Sequence, residues 1–285
     1  MHTPGTRTGN SHWVLGAPVS TVDRAVPEGV STADLTSYCL MLGDDALVLS
    51  SRLSEWGARV AELEEDAALS RIALDLLGQA RTLLTRAGEV EGAGRDEDRL
   101  AYFRDAPEFR NVRLAEIACG PGQTGDFAAT IARLLVFSTW RLALYERLVA
   151  TRDPVLSDHA ARSVGELTAH RDHALQWTIR LGDGDASARE AMVAGLERIW
   201  PLTAELFHPH PVERVLAEAG CAVDPSTVRD RVSTTLDEVL SVARLESPDP
   251  AAFDAFTGPG GRDGVHTGAM EFLLAEMQYL ARSAR

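Results

Sequence analysis

Apolar residues recur at three- and four-residue spacings along most of this chain, which is the period of an α-helix. From about residue 31 to 59 they cover more than one narrow stripe, so we expect a helix that is buried around much of its girth. Ser31 and Asp34 give this helix a start that resembles a capping box. We find no run of alternating β-branched residues between turn signals, and the pattern therefore predicts an all-α protein.

Four segments of about 25 residues carry the strongest helical pattern, and they form two pairs separated by a longer connection. Asp153 and Pro154 open the last of them as an N-cap and a first helical residue. This order predicts a ferritin-like four-helix bundle with a long crossover and additional C-terminal helices. The predicted long helices cover residues 31–59, 62–87, 125–151 and 154–181. The predicted shorter helices cover residues 96–105, 187–207, 224–245 and 267–283.

The first thirty residues differ in composition from the rest of the chain. They are rich in Gly, Pro, Thr and Ser and contain no apolar core of signal-peptide length, so we expect a disordered arm over residues 1–30. We find no internal repeat in the remainder. Residues 31–285 are therefore expected to form a single ferritin-like helical domain.

Charge and cysteine content narrow the classes of function. The chain has 28 basic and 42 acidic residues and a formal net charge of −14, which argues against nucleic acid or an anionic membrane as a partner. All the basic residues are arginine, so chemistries that need a lysine are excluded. The three cysteines are far apart, and no apolar run approaches the roughly 20 residues of a membrane span. We therefore expect a cytoplasmic protein.

Ferritin-like bundles commonly bind two iron or manganese ions, through one carboxylate from each of two helices and a Glu-x-x-His motif from each of the other two. Asp44 and Asp75 lie 31 residues apart, a separation that suits two antiparallel helices meeting at the middle of a bundle. Three residues beyond Asp75, where a histidine is required, the chain has Gly78. We expect this glycine to serve close backbone packing instead of metal binding.

The second pair of helices departs further from the metal-binding pattern. Glu166 is followed by His170 at the fourth position, whereas the motif requires the third. The third helix has Arg133 where a carboxylate is needed, and Asp126 lies one to two turns too early. The chain therefore offers at best four of six ligands: Asp44, Asp75, Glu166 and His170. We expect that this chain holds no metal or other cofactor, and these four residues are the degenerate positions that would bind one. The sequence does not indicate which residues bind a substrate.

These polar groups need partners if they do not bind a metal. We expect them to pair with each other or with arginines inside the bundle, such as Arg52, Arg71 or Arg133. Adjacent residues point about 100° apart on a helix, so Asp44 and Asp45 do not converge on one proton. We expect one of the two to be buried and the other exposed.

The remaining histidines form no recognisable ligand set. Glu205 and His208 make the one literal Glu-x-x-His motif, but prolines end the helix there and no second motif matches it. We expect His208 and His210 to lie in a solvated turn. His159 and His173 are isolated in the sequence and are expected at a surface or an interface.

Several segments are too specific to be generic helix sequences. They are residues 38–56, LDLLGQAR at 74–81, GDFAATIAR at 125–133, TAELF at 203–207 and LAEMQYL at 274–280. In this order and spacing, over about residues 35–282, they resemble the PaaA/PaaC ferritin-like family of bacterial 1,2-phenylacetyl-CoA epoxidase, and within it the C subunits. The N-terminal arm lies outside the resemblance.

The resemblance implies a role within a multicomponent monooxygenase of aerobic phenylacetate degradation. In this family the di-iron centre that epoxidises the aromatic ring of phenylacetyl-CoA belongs to the A subunit. The C subunit resembles A in fold, has a degenerate metal site and supports A as a structural partner. A small B subunit and a reductase with a flavin and an iron–sulfur cluster complete the enzyme. The substrate would then be bound mainly by the partner.

Two other interpretations remain at this point. The chain could be an independent di-metal oxidase with unconventional ligands, which predicts stoichiometric iron in the isolated protein. It could also be an unrelated helical adaptor, which predicts no affinity for a catalytic A subunit.

Overall fold

The computed structural model describes residues 22–57, 63–120, 127–247, 253 and 255–283. Every regular element within these ranges is helical, which confirms the all-α prediction. The α-helices are α1 (Thr32–Ser54), α2 (Leu63–Glu91), α3 (Glu97–Tyr102), α4 (Arg113–Glu116), α5 (Phe127–Leu148), α6 (Pro154–Gly182), α7 (Ala186–Ile199), α8 (Pro211–Glu218), α9 (Arg229–Val242) and α10 (Gly268–Ser283). Short 3₁₀ helices cover Ala106–Glu108, Trp200–Leu202, Ala204–Phe207, Pro225–Val228 and Gly261–Asp263.

The four long helices form the predicted ferritin-like bundle. Helix α1 packs along α2, α5 packs along α6, and α2 meets α6 across the bundle. The long connection between α2 and α5 carries α3 and α4, while α7 and α9 cover the outer side of α5. The side chains of α1 and α5 are almost all buried.

Helix α5 corrects one expectation from the sequence. Within the described residues, it alone is long and apolar enough to cross a membrane by length and composition. However, 94% of its most apolar segment is buried inside the protein, as in the central helix of a packed core. Its apolar character is therefore explained by its neighbours on every side.

The predicted helix starts at Ser31 and Asp153 are confirmed. The Ser31 hydroxyl accepts a hydrogen bond from the Asp34 amide at 3.2 Å, and the Asp153 carboxylate accepts one from the Leu156 amide at 2.9 Å. Each side chain satisfies an amide that the first turn of a helix leaves without a partner. These starts depend only on local sequence.

The prediction of one helix over residues 187–207 is wrong. Helix α7 ends at Ile199, and two 3₁₀ turns follow, because Pro201 lacks an amide hydrogen and its ring clashes with the preceding turn. Helix α8 is an element that the sequence pattern does not predict. It begins with Pro211 at its first position and is capped by His210, whose amide donates to Glu213 in a capping box.

The structure describes the last residues of the expected arm, 22–30. Residues 22–30 lie against α2, where the Arg86 guanidinium donates to the Arg24 carbonyl at 2.7 Å and also pairs with Asp153. Val26 and Val30 pack on the core. The arm prediction for residues 1–21 lies outside the described residues.

Candidate functional site

Asp44 lies on α1 but points away from the other bundle helices. Its carboxylate pairs with the Arg104 guanidinium through both oxygens and accepts the Arg110 amide at 2.8 Å. Arg104 in turn stacks on the Phe109 ring, 4.1 Å from its centroid. Asp44 thus binds the connection between α2 and α5 to helix α1. Its carboxylate is not available to a site between the helices.

Asp45, the next residue, is also fully buried, so the expectation that one of the pair would be exposed is wrong. Arg262 binds it through two nitrogens, at 2.8 and 3.0 Å, and the Val112 amide donates at 2.8 Å. Both aspartates are buried because the crossover and the segment before α10 each bring an arginine to α1. Such a bidentate pair offsets the cost of removing both charges from water.

Asp75 and His170 meet between α2 and α6. The histidine Nε2 lies 3.1 Å from the carboxylate, and the Asp75 side chain keeps 26% of its surface exposed. Burial lowers the pKa of His170 below its ordinary value, although the hydrogen bond and the charge of Asp75 act in the opposite direction. His170 is therefore mainly neutral at pH 7, and the contact is a hydrogen bond between one carboxylate and one imidazole.

Glu166 does not join this pair but binds an amide. Gln79 donates to Glu166 at 3.0 Å through Nε2, and its carbonyl oxygen accepts from Arg141 Nε at 3.3 Å. Gln79 lies one turn beyond Asp75 on α2. Helices α2 and α6 are therefore joined by two adjacent side-chain contacts. Of the four predicted ligands, the structure brings together Asp75 and His170, places Glu166 on Gln79, and directs Asp44 elsewhere.

Arg141 of α5 fills the space between the four long helices. It is fully buried, and Nη2 donates to the Leu42 carbonyl of α1 at 3.1 Å and to the Tyr145 hydroxyl. Its Nη1 lies 3.9 Å from the Asp45 carboxylate, beyond hydrogen-bond distance. A guanidinium keeps its charge at all physiological pH values. The bundle therefore has a fixed cation at its centre.

The network continues to α6 through Tyr145, whose hydroxyl lies 3.5 Å from His159 Nε2. His159 is buried, not at a surface as expected, because α6 turns it toward α5. Burial and the charge of Arg141 lower the pKa of His159 to about 3. This histidine is therefore neutral and acts as a packing and hydrogen-bonding group beside the central cation.

The donor set does not fit a di-metal centre. Among the residues that the structure describes, no group of three or more His, Cys, Asp or Glu side chains is placed to hold a metal ion. Arg141 would add repulsion to any metal cation between these helices. Asp126, the remaining carboxylate considered for α5, lies outside the described residues.

The expectation that these polar groups pair with each other or with arginines is confirmed by Asp75 with His170 and by Asp44 with Arg104. The three arginines that the sequence suggested are not the partners. Arg52 binds Glu55 and the Glu116 carbonyl, Arg133 binds the Ile117 carbonyl, and Arg71 is exposed on α2. The arginines that the sequence reasoning missed are Arg104, Arg141 and Arg262. One signal was available for Arg141, since it is a charged residue on a helix whose other residues are mostly apolar.

The Glu-x-x-His motif at Glu205 and His208 does not form a ligand pair, and its residues have separate structural roles. Glu205 is buried and accepts the Gly261 amide at 2.6 Å and the Arg113 amide at 2.9 Å, so it fastens the loop before α10 to α4. His208 is exposed as expected. His210 is half-buried and caps α8, so only part of the solvated-turn prediction holds.

Gly78 has no close side-chain neighbour among the described residues. A Cβ atom added there would meet nothing within 4 Å, and the residue is exposed on α2. The expectation of close packing is therefore not met within the chain itself.

Two comparisons with known proteins bear on this arrangement. The family model described as phenylacetic acid catabolic protein, PaaA_PaaC, matches residues 20–285. This chain belongs to the phenylacetic acid catabolic protein family. It is 42% identical over 248 residues to the C subunit of 1,2-phenylacetyl-CoA epoxidase from Escherichia coli (strain K12), covering 87% of this chain and 96% of that protein. The resemblance found in the sequence is thereby confirmed.

Membership in the phenylacetic acid catabolic protein family accounts for the ferritin-like bundle. The relative is named as one subunit of an epoxidase, which implies partner subunits for that protein. Three of the four suggested ligands lie in two facing pairs, in which Asp75 contacts His170 and Glu166 accepts a hydrogen bond from Gln79. Of these residues, Gln79 also accepts a hydrogen bond from the buried Arg141.

Proposed function

We propose that this chain is the structural, non-catalytic C-type subunit of a 1,2-phenylacetyl-CoA epoxidase, and that it pairs with a homologous di-iron A subunit. The identity to the C subunit of the Escherichia coli enzyme supports the assignment to phenylacetate catabolism. The buried guanidinium of Arg141 is the observation that carries the non-catalytic role.

The contacts of Arg141 replace the mechanical role that a metal cluster has in a ferritin-like bundle. It connects the Leu42 carbonyl, Gln79 and Tyr145, and through Tyr145 it reaches His159. Side chains or carbonyls of all four long helices are thereby linked around one positive charge. The bundle can hold its shape without a bound ion, as a supporting subunit requires.

The proposal assigns the chemistry to the partners. The A subunit would supply the di-iron centre and most of the phenylacetyl-CoA site, and a reductase would supply electrons through a flavin and an iron–sulfur cluster. A small B subunit would complete the complex. We place this assembly in the cytoplasm, as expected from the free, buried cysteines.

Reconstitution tests the proposal directly. The chain, the A-type subunit and the reductase are purified separately, and conversion of phenylacetyl-CoA is followed with each subunit left out in turn. We expect no product from the chain with the reductase alone, and the highest activity when both ferritin-like subunits are present. Product formation without the A-type subunit would contradict the proposal.

One observation favours the alternative of an independent oxidase. Asp75 and His170 are in contact, and the Asp75 carboxylate is partly exposed. These two side chains could supply two of the ligands of a metal ion. This alternative predicts bound iron in the isolated chain and its loss in Asp75→Ala. Iron content that does not respond to Asp75→Ala would count against it.

A further inference from the structure

A buried histidine and a buried glutamate meet at the start of the last helix. His266 lies two residues before α10, and its Nδ1 is 2.7 Å from the Glu116 carboxylate of α4. Its Nε2 is 3.1 Å from the Phe109 carbonyl oxygen. The histidine side chain keeps 4% of its surface exposed and the glutamate side chain none. Each ring nitrogen of His266 therefore faces an oxygen atom inside the protein.

These two contacts of His266 fit a protonated ring. A carbonyl oxygen and an ionised carboxylate accept hydrogen bonds but cannot donate them. Neutral imidazole has one donor and one acceptor nitrogen, whereas imidazolium donates through both. Because both ring nitrogens of His266 face acceptors, the arrangement matches imidazolium. The contact with Glu116 is then a buried ion pair.

Glu116 also accepts hydrogen bonds from both segments that meet at this point. Its Oε1 accepts the Thr267 amide at 2.5 Å, and its Oε2 accepts the Asn111 side chain at 2.8 Å. Its backbone carbonyl accepts Arg52 Nε at 2.7 Å, and the same guanidinium donates to the Ala269 carbonyl at 2.8 Å. The start of α10 is thereby bound to α4 and α1 through contacts centred on Glu116.

The turn before α10 brings His266 to this position. Gly264 has a φ of +79°, a left-handed conformation that favours glycine. A Cβ atom at Gly264 would lie 2.2 Å from the Pro107 carbonyl oxygen, so the turn packs closely on the connection between α2 and α5. This close approach places the imidazole ring within reach of Phe109 and Glu116.

The surroundings of His266 favour its charged form. Burial acts to lower its pKa, but the hydrogen bond and charge of Glu116, the Phe109 carbonyl and the charge of Asp44 raise the pKa above the ordinary value of 6.5. The charge on this ring can therefore change as the pH rises above 6.5.

Other contacts of α10 and of the connection keep their charge near neutral pH. Arg110 donates to the same Phe109 carbonyl at 2.8 Å. Gln278 and Arg282 of α10 both donate to the Arg104 carbonyl at 2.9 Å. A guanidinium stays charged and an amide stays neutral in this pH range. The contacts of His266, in contrast, depend on whether its ring carries a proton.

Three further titratable groups lie near the segment before α10. His210 is 3.6 Å from Asp263, and burial lowers the pKa of His210 below 6.5. Burial raises the pKa of Glu213 to about 7 and raises that of Asp45, while the charge of Arg262 opposes both shifts. An experiment above pH 6.5 must therefore separate His266 from Glu213.

We propose that His266 is a pH-sensitive switch, which holds the start of α10 on α4 while its ring is protonated and releases it as the pH rises. This inference does not depend on the function proposed above. Loss of the proton leaves one ring nitrogen as an acceptor that faces an acceptor oxygen, and it leaves Glu116 buried without its countercharge. The stabilisation is complete below pH 6.5 and is lost as the pH rises through the raised pKa of His266.

Two measurements on the full-length chain test the switch. The ¹⁵N chemical shifts of the imidazole nitrogens show which of them carry protons, and the His266 signals are assigned by their loss in His266→Gln. Hydrogen exchange of the α10 amides is followed by mass spectrometry from pH 6 to pH 9 and divided into the intrinsic rate at each pH. His208→Gln is the matched control, because His208 is exposed. Glu213→Gln removes the neighbouring titration.

We expect both ring nitrogens of His266 to be protonated at pH 6. The protection of the α10 amides should fall at least about fivefold by pH 9, which is the lower end of typical coupling between two sites. The fall should follow the titration of the ring and should persist in His208→Gln and Glu213→Gln. In His266→Gln, protection should be low already at pH 6 and should not change with pH.

Glu116→Gln gives a second, independent expectation. It removes the carboxylate that raises the pKa of His266, so the midpoint of the change at α10 should move to lower pH. A midpoint that stays in place would contradict the switch.

Several results would overturn the proposal. One is a single protonated nitrogen on His266 at pH 6, and another is α10 protection that stays constant from pH 6 to pH 9. The same fall in His266→Gln, or its disappearance in Glu213→Gln, would assign the change to another group. If His266→Gln does not fold, the wild-type titration and Glu116→Gln still decide the outcome.

Discussion

At the scale of single residues, buried charges on α1 depend on arginines that are distant in sequence. Asp44 is held by Arg104 from the connection between α2 and α5, and Asp45 by Arg262 from the segment before α10. Neither pairing has a local signature, because the partner lies 60 residues away in one case and 217 in the other. The sequence could predict that these aspartates need partners but not which arginines would supply them.

Asp45→Asn tests how much the ion pair with Arg262 stabilises the folded protein. The substitution leaves Arg262 buried without its carboxylate, and breaking one side of a buried pair typically costs about 3–5 kcal/mol. We expect a loss of this order in the free energy of unfolding, measured with urea. Asp158→Asn is the control, since its pair with Arg162 is exposed and worth below about 1 kcal/mol. Equal effects of the two substitutions would contradict the account.

Glu213 gives the protein a pH dependence that can be measured. Burial raises the pKa of this carboxyl to about 7, although Arg262 and the His210 amide lower it. The folded state therefore holds a proton that the unfolded state, with a pKa of 4.5, releases. The contribution of Glu213 to stability is complete below pH 4.5 and is lost as the pH rises toward 7.

Glu213→Gln removes this titration and keeps an oxygen that accepts the His210 amide. We expect the variant to gain stability relative to wild type as the pH rises from 4.5 to 7.5, by about 3 kcal/mol in total. Chemical unfolding of both proteins across this range provides the measurement. A difference that does not change with pH would exclude the titration of Glu213.

At the scale of elements, the helices follow from local sequence where the signals are strong. Ser31 and Asp153 predict the starts of α1 and α6, and both caps are present. The prediction over 187–207 fails because the apolar pattern continues through Pro201, although the proline ends the helix. Helix α8 escapes prediction because its eight residues are too few to show a clear period.

A substitution at Gly78 tests how helix propensity in α2 affects the stability of the isolated chain. Because a Cβ there meets nothing, Gly78→Ala should stabilise the isolated chain by about 0.5–1 kcal/mol through helix propensity. Gly195→Ala is the matched control. Its Cβ would approach the Ala129 backbone of α5 to 2.9 Å, so it should destabilise. Thermal unfolding distinguishes the two, and destabilisation by Gly78→Ala would show a contact within the chain.

At the scale of the whole molecule, the ferritin-like bundle is packed around the buried Arg141. The sequence predicts the bundle and its incomplete ligand set, because helical period and ligand spacing are local patterns. It does not predict that Arg141 lies between the four helices, since burial of that side chain depends on how α5 packs. The candidate site is therefore defined by tertiary structure more than by any motif.

The central claim is that this chain supports a di-iron partner without holding iron itself. Native mass spectrometry of the complex with the A-type subunit, prepared from iron-supplied cells and then separated into its chains, measures iron on each chain. The account predicts two irons on the A-type subunit and none on this chain. Two irons on this chain would contradict it and would return Asp75, Glu166 and His170 to consideration as ligands.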